Sequence, residues 1–306
     1  MKDHQPPDPS RRSAAPIVPG PLDSPPRLPI KVEAGFGARS RRGPRRPVND
    51  DHYLIMSLGR HHEALMTSLP ANDLLKRFVE FGYGMFIADG MGSDGEAASR
   101  LAISSLVHLA INFGKWHVRV DEPIAAEMMD RAKRFYRDVD ATLQQAGRAG
   151  EPGLQSTLTL VYSAGPELFF AHVGHSRAYL LRGDQLVQLT RDHTLAEEPG
   201  AAPIADVAGG TRVRIVTETL GGSGGDVPRI DIERCGLMDD DLVLLCTNGL
   251  TDVVDDARIA HTLRLHATPD DQCRALVDLA ASSGSEDDVT ALVAHYRIRE
   301  VTPAIS

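Results

Sequence analysis

Carboxylates stand where the apolar runs of this chain begin or end. Asp50 and Asp51 lie in RPVNDDHY, Asp89 closes FIAD, Asp252 follows Asn248 in LLCTNGLTD, and Asp287 and Asp288 precede the apolar run of GSEDDVTALVAHY. Singly, a carboxylate at a strand end is most simply a turn residue. Together, acidic loops that each abut an apolar strand can converge at one edge of a sandwich. Hard divalent cations take oxygen ligands, and Mg²⁺ keeps several waters, so few carboxylates suffice. Two such ions about 3.5–4 Å apart can share a carboxylate and hold an attacking water. Asp89 is the candidate shared ligand, and Gly90 leaves its carbonyl open to a metal with no side chain in the way.

The same loop carries a competing signal. GMGSDG, Gly90 to Gly95, is a literal G-x-G-x-x-G between a strand-like and a helix-like run. A dinucleotide cradle needs a βαβ unit and an acidic ribose ligand about 20 residues beyond the glycines. Here roughly fifty residues of helical pattern follow instead. Asp89 would also repel a pyrophosphate unless a cation lay between them. The nucleotide reading fails on its context.

The elements that must position these residues follow from periodicity. Strands are predicted near 30–38 and at DHYLIMSL and GYGMFIAD, with the basic loop RSRRGPRR between the first two. A helix is predicted from about Glu96 to Phe113. A second has its apolar stripe at Ile124, Met128, Ala132, Phe135, Val139 and Leu143, with Pro123 in its first turn. Strands are then expected at STLTLVYSA, LFFAHVG, RAYLLRG, QLVQLT and RVRIVTE, with a hairpin turn from Arg182 to Gln185. DLVLLCTNG, a short helix near DDARIAHTLRL, a last helix capped by Thr268 with Pro269 at N1, and the strand VTALVAHYRI complete the order. Strand meanders and paired helices predict an α+β fold with antiparallel sheets.

Composition bounds the rest. The 306 residues hold 42% apolar side chains, enough for a substantial core, and the net charge of -9 argues against nucleic-acid binding. Cys235, Cys246 and Cys273 form no CxxC pair, so neither a disulfide framework nor a zinc knuckle is expected. No run is long and apolar enough for a membrane span, and the N-terminus has no secretory h-region, so a cytoplasmic protein is expected. Residues 1–28 are proline-rich and poor in large apolar side chains and are expected to be disordered. Residues 29–299 are read as one domain and 300–306 as a short tail.

Six segments in order resemble the PP2C-type (PPM) metal-dependent protein serine/threonine phosphatases in their bacterial form. They are RPVNDD (Arg46–Asp51), IADGMG (Ile87–Gly92), STLTLVY (Ser156–Tyr162), HVGHSRAYLLRGDQLVQLTRDHTL (His172–Leu195), CTNGLTD (Cys246–Asp252) and SEDDVT (Ser285–Thr290). The resemblance implies a four-layer αββα sandwich, two antiparallel β-sheets flanked by antiparallel helix pairs. It implies two Mn²⁺ or Mg²⁺ ions and hydrolysis of phosphoserine and phosphothreonine by a metal-bridging water, attacking in line without a phosphoenzyme. By motif position Arg46 would clamp the substrate phosphate, Asp50 would bind the second metal through water, and Asp89 would bridge both metals. The Gly90 carbonyl would bind the second metal and Asp287 the first, with Asp51 and Asp288 in support. The implied partners are a phosphoprotein substrate and a Ser/Thr kinase or its targets, with a monomeric chain and neither nucleic acid nor membrane.

Three features depart from the family pattern. Asn248 replaces the first aspartate of DGLxD, which keeps an amide oxygen for the metal but loses a charge. His175 replaces the aspartate of GDSR, so a third metal site with Asp252 is absent or altered; the pair of changes could instead lower metal affinity. His175 would then be a ligand for a softer ion or a surface histidine. The glycine loop is two residues shorter and lacks the histidine of bacterial members, which leaves the general acid unassigned. These departures support a second reading, a catalytically weak or inactive PP2C-like domain that binds a phosphoprotein or another partner. The segment Ala196–Asp226, rich in Gly, Ala and Pro, falls where the family carries a mobile flap.

Overall fold

The computed structural model describes residues 30–68, 77–115, 117, 120–147, 153–197, 215–222 and 227–300. The expected N-terminal disorder, the C-terminal tail apart from Glu300, which ends a strand, and most of the expected flap lie outside them.

Two antiparallel sheets form the centre. One has the order β1 (Ile30–Arg41), β11 (Val289–Glu300), β10 (Leu242–Cys246), β7 (Arg177–Arg182), β8 (Gln185–Gln188). The other runs β2 (Asp51–Glu63), β3 (Arg77–Met91), β5 (Leu158–Ala164), β6 (Glu167–Val173), β9 (Asp231–Gly236), with the two-residue β4 (Gln155–Ser156) on β3. Three apolar clusters separate four layers. Met85, Ile87, Val161, Leu180, Val243, Leu245 and Leu292 pack between the sheets. Tyr179, Leu244, Ile259, Leu276 and Val293 join the first sheet to α4 (Asp256–Leu265) and α5 (Pro269–Ser282). Phe86, Ala102, Leu106, Tyr136, Val139 and Leu158 join the second to α1 (Gly95–Phe113) and α2 (Glu122–Ala146). The central strands are therefore covered on both faces, which is why LVLLC and LTLVYSA read as nearly continuous apolar runs rather than alternating ones.

Local signals explain most boundaries. Asp121 caps α2 by accepting from Ile124 N–H at 2.9 Å, with Pro123 in the first turn. Thr268 caps α5 by accepting from Asp271 N–H at 3.2 Å. Arg182 pairs with Gln185 across a two-residue turn in which Gly183 takes φ 55°. The α2 stripe is rotated slightly from the expected one: Ala125, Tyr136, Val139 and Leu143 are its deepest residues.

Four readings need correction. Arg39–Arg41 of RSRRGPRR continue β1 rather than starting a loop, because they pair with Val289–Ala291. RVRIVTE forms no strand among its described residues; Val216 makes one isolated bridge to Thr194. The edge place beside β6 belongs to β9, DIERCG, whose charged residues obscure its strand signal. The four-residue helix α3 (Asn248–Thr251) follows β10 where no helix was expected.

Candidate active site

The second sheet supplies three acids. Asp51 opens β2 and pairs in register with Asp89 near the end of β3. Asp50 precedes them, and its carbonyl accepts the Gly90 N–H at 3.1 Å and the Ser99 hydroxyl of α1 at 2.5 Å. Asp89 is held by its backbone: its N–H donates to Thr157 Oγ1 at 3.0 Å, while its carbonyl accepts from Thr157 N–H at 2.9 Å and the Ser156 hydroxyl at 3.1 Å. Among the described residues no hydrogen bond occupies the Asp89 carboxylate.

The first sheet supplies the opposing half. Thr247 after β10 and Thr290 on β11 donate hydroxyls to Asp51 Oδ2 at 2.9 and 2.7 Å, so Asp51 bridges the two sheets. Asp288 accepts the Gly43 N–H on one carboxylate oxygen and the Asp50 N–H on the other, each at 2.7 Å. It thereby fixes both ends of the segment that carries Arg46. The Arg46 Nε and Nη2 reach Asp287 Oδ1 at 3.0 and 2.7 Å, and its Nη1 reaches Asp50 Oδ2 at 3.4 Å. Asn248 turns its Nδ2 toward Asp252 Oδ2 at 3.2 Å and Asp287 Oδ2 at 3.4 Å.

This crowding of carboxylates changes their acidity. Burial pushes the Asp51 carboxyl up to about 7, partly opposed by the two threonine hydroxyls and aided by Asp288 and Asp287. Asp89 is raised well above the carboxylate range by burial first and then by Asp51 and Asp287. Asp50 is raised by burial and Asp288, with Arg46 pulling the other way. Burial works against the Arg46 charge, but Asp287, Asp288 and Asp50 outweigh it and raise its pKa.

The glycines of GMGSDG serve the backbone. A Cβ on Gly90 would lie 1.7 Å from the Gly95 carbonyl oxygen, so the end of β3 and the start of α1 touch main chain to main chain. The Gly90 carbonyl oxygen and the Asp50 carboxyl carbon lie 2.7 and 2.8 Å from the point a Gly95 Cβ would occupy, which gathers both oxygen donors there. Gly92 turns the loop at φ 82°.

Of the expected site, Arg46, Asp50, Asp51, Asp89, Gly90, Asn248, Asp252, Asp287 and Asp288 meet in one place. His175 is 6% exposed, which rules out a surface histidine. It stands on the β6–β7 turn beside Ser176, whose hydroxyl lies 3.2 Å from Thr157 Oγ1 and so next to the Asp89 backbone. Among the described residues no three histidines, cysteines or acids form a ready ligand cage. Arg46, Asn248 and Asp288 N–H groups occupy Asp287 instead. The donor set nevertheless fits a hard cation: it is oxygen throughout, and Asp51 Oδ1 and Asn248 Oδ1 are buried acceptors with no hydrogen-bond partner.

A protein phosphatase 2C family model matches residues 117–212. The serine/threonine protein phosphatase PstP of Mycobacterium tuberculosis is 33% identical over 227 residues, 68% of this chain and 39% of PstP. The chain thus spans about two fifths of the length of that curated relative. The serine/threonine phosphatase stp of Listeria innocua is 27% identical over 71% of this chain and 85% of its own. Among solved structures, the S. agalactiae serine/threonine phosphatase superposes with a TM-score of 0.67 at 22% identity, over 86% of this chain and 99% of that one. The PstP catalytic domain in complex with two manganese ions gives 0.63 at 25% identity, over 87% and 100%. The chain belongs to the PP2C family.

Within this PP2C domain the motifs divide by task. Arg177 of GHSR forks onto Asp192 of RDHT at 2.8 and 2.7 Å, which ties the His175 turn to the strand end after β8. Ser156, Thr157, Thr247 and Thr290 were not singled out from sequence, although each hydroxyl lies inside a quoted motif. Their signal was a small hydroxyl residue at a strand end beside a motif acid. Among the described residues no helix is long and apolar enough to cross a membrane.

Proposed function

We propose that this chain is a metal-dependent protein phosphatase acting on phosphoserine and phosphothreonine. The observation that carries this reading is Arg46, a guanidinium at the mouth of an otherwise acidic, all-oxygen site fed by both sheets. Asp89, Asp287, Asp50, the Gly90 carbonyl and the Asn248 amide oxygen would hold two Mn²⁺ or Mg²⁺ ions. Such ions supply a water acidic enough to attack at neutral pH and neutralise charge on the phosphoryl oxygens. Arg46 binds and orients the phosphate through its planar fork. Asp51, held by two threonines, and Asp288, holding two backbone N–H groups, keep the halves of the site in register. Cys246 is fully buried with its thiol pushed up to about 12 by that burial, so it offers no thiolate for a phosphoenzyme.

The partner is a phosphoprotein, with a Ser/Thr kinase on the opposing side of the cycle. We place the protein in the cytoplasm as a monomer; its three free cysteines, two of them buried, suit a reducing compartment. The second reading, a weak or inactive binding domain, draws on Asn248, whose Nδ2 faces Asp287 and Asp252 where an aspartate would add charge for a cation.

The test is hydrolysis of p-nitrophenyl phosphate and a phosphothreonine peptide by EDTA-stripped protein, with Mn²⁺ or Mg²⁺ restored, beside Asp89→Ala. Metal-dependent turnover lost in the variant supports the enzyme. No turnover by folded protein with either metal leaves the binding domain.

A further inference from the structure

Arg46 does more in this structure than wait for a phosphate. Two of its nitrogens converge on Asp287 Oδ1 at 3.0 and 2.7 Å, and a third approaches Asp50 Oδ2 at 3.4 Å. Asn248 Nδ2 faces the other Asp287 oxygen at 3.4 Å. Asp287 Oδ1 also accepts the Asp288 N–H at 2.9 Å. With Arg46 in place three N–H donors thus crowd an oxygen that has two lone pairs, and a divalent cation reaching Oδ1 competes with the guanidinium for them. The Arg46 side chain is 37% exposed and that of Asp287 33%, so the pair sits at the rim with room for the guanidinium to leave.

The backbone beneath it stays fixed. Gly43 N–H and Asp50 N–H are held by Asp288, and Arg46 N–H returns to the Gly43 carbonyl at 3.2 Å. Movement of Arg46 therefore needs only side-chain rotation, with the guanidinium kept at the mouth of the site.

We propose that Arg46 is the built-in counter-cation of the acidic site, and that a divalent cation takes Asp287 by displacing it. This rests on the metal-dependent reading above and adds an order to it. Cation binding frees the guanidinium, and only the freed fork has its donors available to a phosphate. Asp287 thus links the two ligands: the cation competes with Arg46, and a phosphate that holds Arg46 away from Asp287 favours the cation by the same factor. The fork matters as well as the charge, because a lysine ammonium cannot place two N–H groups on one carboxylate from a fixed plane.

The test is calorimetric titration of the EDTA-stripped full chain with Mn²⁺ alone, for wild type, Arg46→Gln and Arg46→Lys. Removing the competitor in Arg46→Gln tightens Mn²⁺ binding by roughly tenfold, within the range usual for coupled sites. Arg46→Lys shifts affinity the same way by less, and it carries the test should the glutamine variant fail to fold. Unchanged or weaker Mn²⁺ affinity in the folded variants overturns the linkage while leaving the metal reading in place. No Mn²⁺ binding by any of the three overturns both.

Discussion

Asp51 and Asp89 face each other as register partners across the β2–β3 ladder, both buried. Two carboxylates so placed repel when both are ionised. Because burial raises both, the folded chain holds protons here that the unfolded chain releases, and stability of the metal-free protein falls as pH rises through about 7. Asp89→Asn removes the repulsion. In EDTA it should melt higher than wild type at pH 7.5, by a stability gain on the order of 1 kcal/mol or more. That gain should shrink at pH 5.5. A lower melting temperature for the variant at both pH values would contradict the facing-carboxylate account.

Asn248→Asp tests the departure at the other half of the site. The new carboxylate would replace two donated contacts, to Asp252 and Asp287, with two repulsions. The metal-free variant should be less stable than wild type, and its Mn²⁺ affinity higher, since cation sites tighten with ligand charge. Thermal melts in EDTA and a Mn²⁺ titration read the two effects separately; weaker Mn²⁺ binding would count against Asn248 as a ligand position.

Gly90 and Gly92 of the loop should differ sharply in tolerance. Gly90→Ala places a methyl 1.7 Å from a backbone oxygen and should cost about 3 kcal/mol or more. Gly92→Ala meets open space and pays only for its positive φ, about 1–2 kcal/mol. Denaturant midpoints of the two variants rank them, and equal midpoints would refute the close approach of β3 to α1.

His172 gives a pH dependence of opposite sign. Its Nε2–H donates to the Gly174 carbonyl at 2.9 Å and its Nδ1 pairs with the Thr159 hydroxyl at 2.8 Å. Burial first, then His193, lowers its pKa to about 3. The unfolded chain therefore takes up a proton below about 6.5 that the folded chain refuses, and stability falls as pH drops from there toward 3. His172→Gln should lose stability at pH 7 yet narrow its deficit at pH 5. Urea unfolding at the two pH values checks this, and a constant deficit would mean that His172 does not titrate on unfolding.

The fold was legible where local chemistry fixes it. Pro123, Thr268 and the Arg182–Gln185 turn mark their boundaries through caps and a positive φ that need no distant partner. The acids were legible as strand ends, and the two sheets bring them together. The missed elements have tertiary causes. β9 exists because β6 offers it an edge, not because DIERCG prefers a strand. The threonine hydroxyls that hold Asp51 come from residues 196 and 239 positions away, a distance no local pattern spans. Arg46 was legible as a guanidinium close in sequence to Asp50 and Asp51, but its seat on Asp287 depends on a β11 approach that only the folded chain reveals.

Because Asp51 reaches across to Thr247 and Thr290, neither sheet owns the site. Any turnover at such a site would report tertiary closure rather than secondary structure. In rising denaturant, turnover should vanish while far-ultraviolet ellipticity still persists, as soon as the seam between the sheets loosens. Any cation held there would act as a clasp, sharing its binding energy with the docking of one half of the molecule on the other.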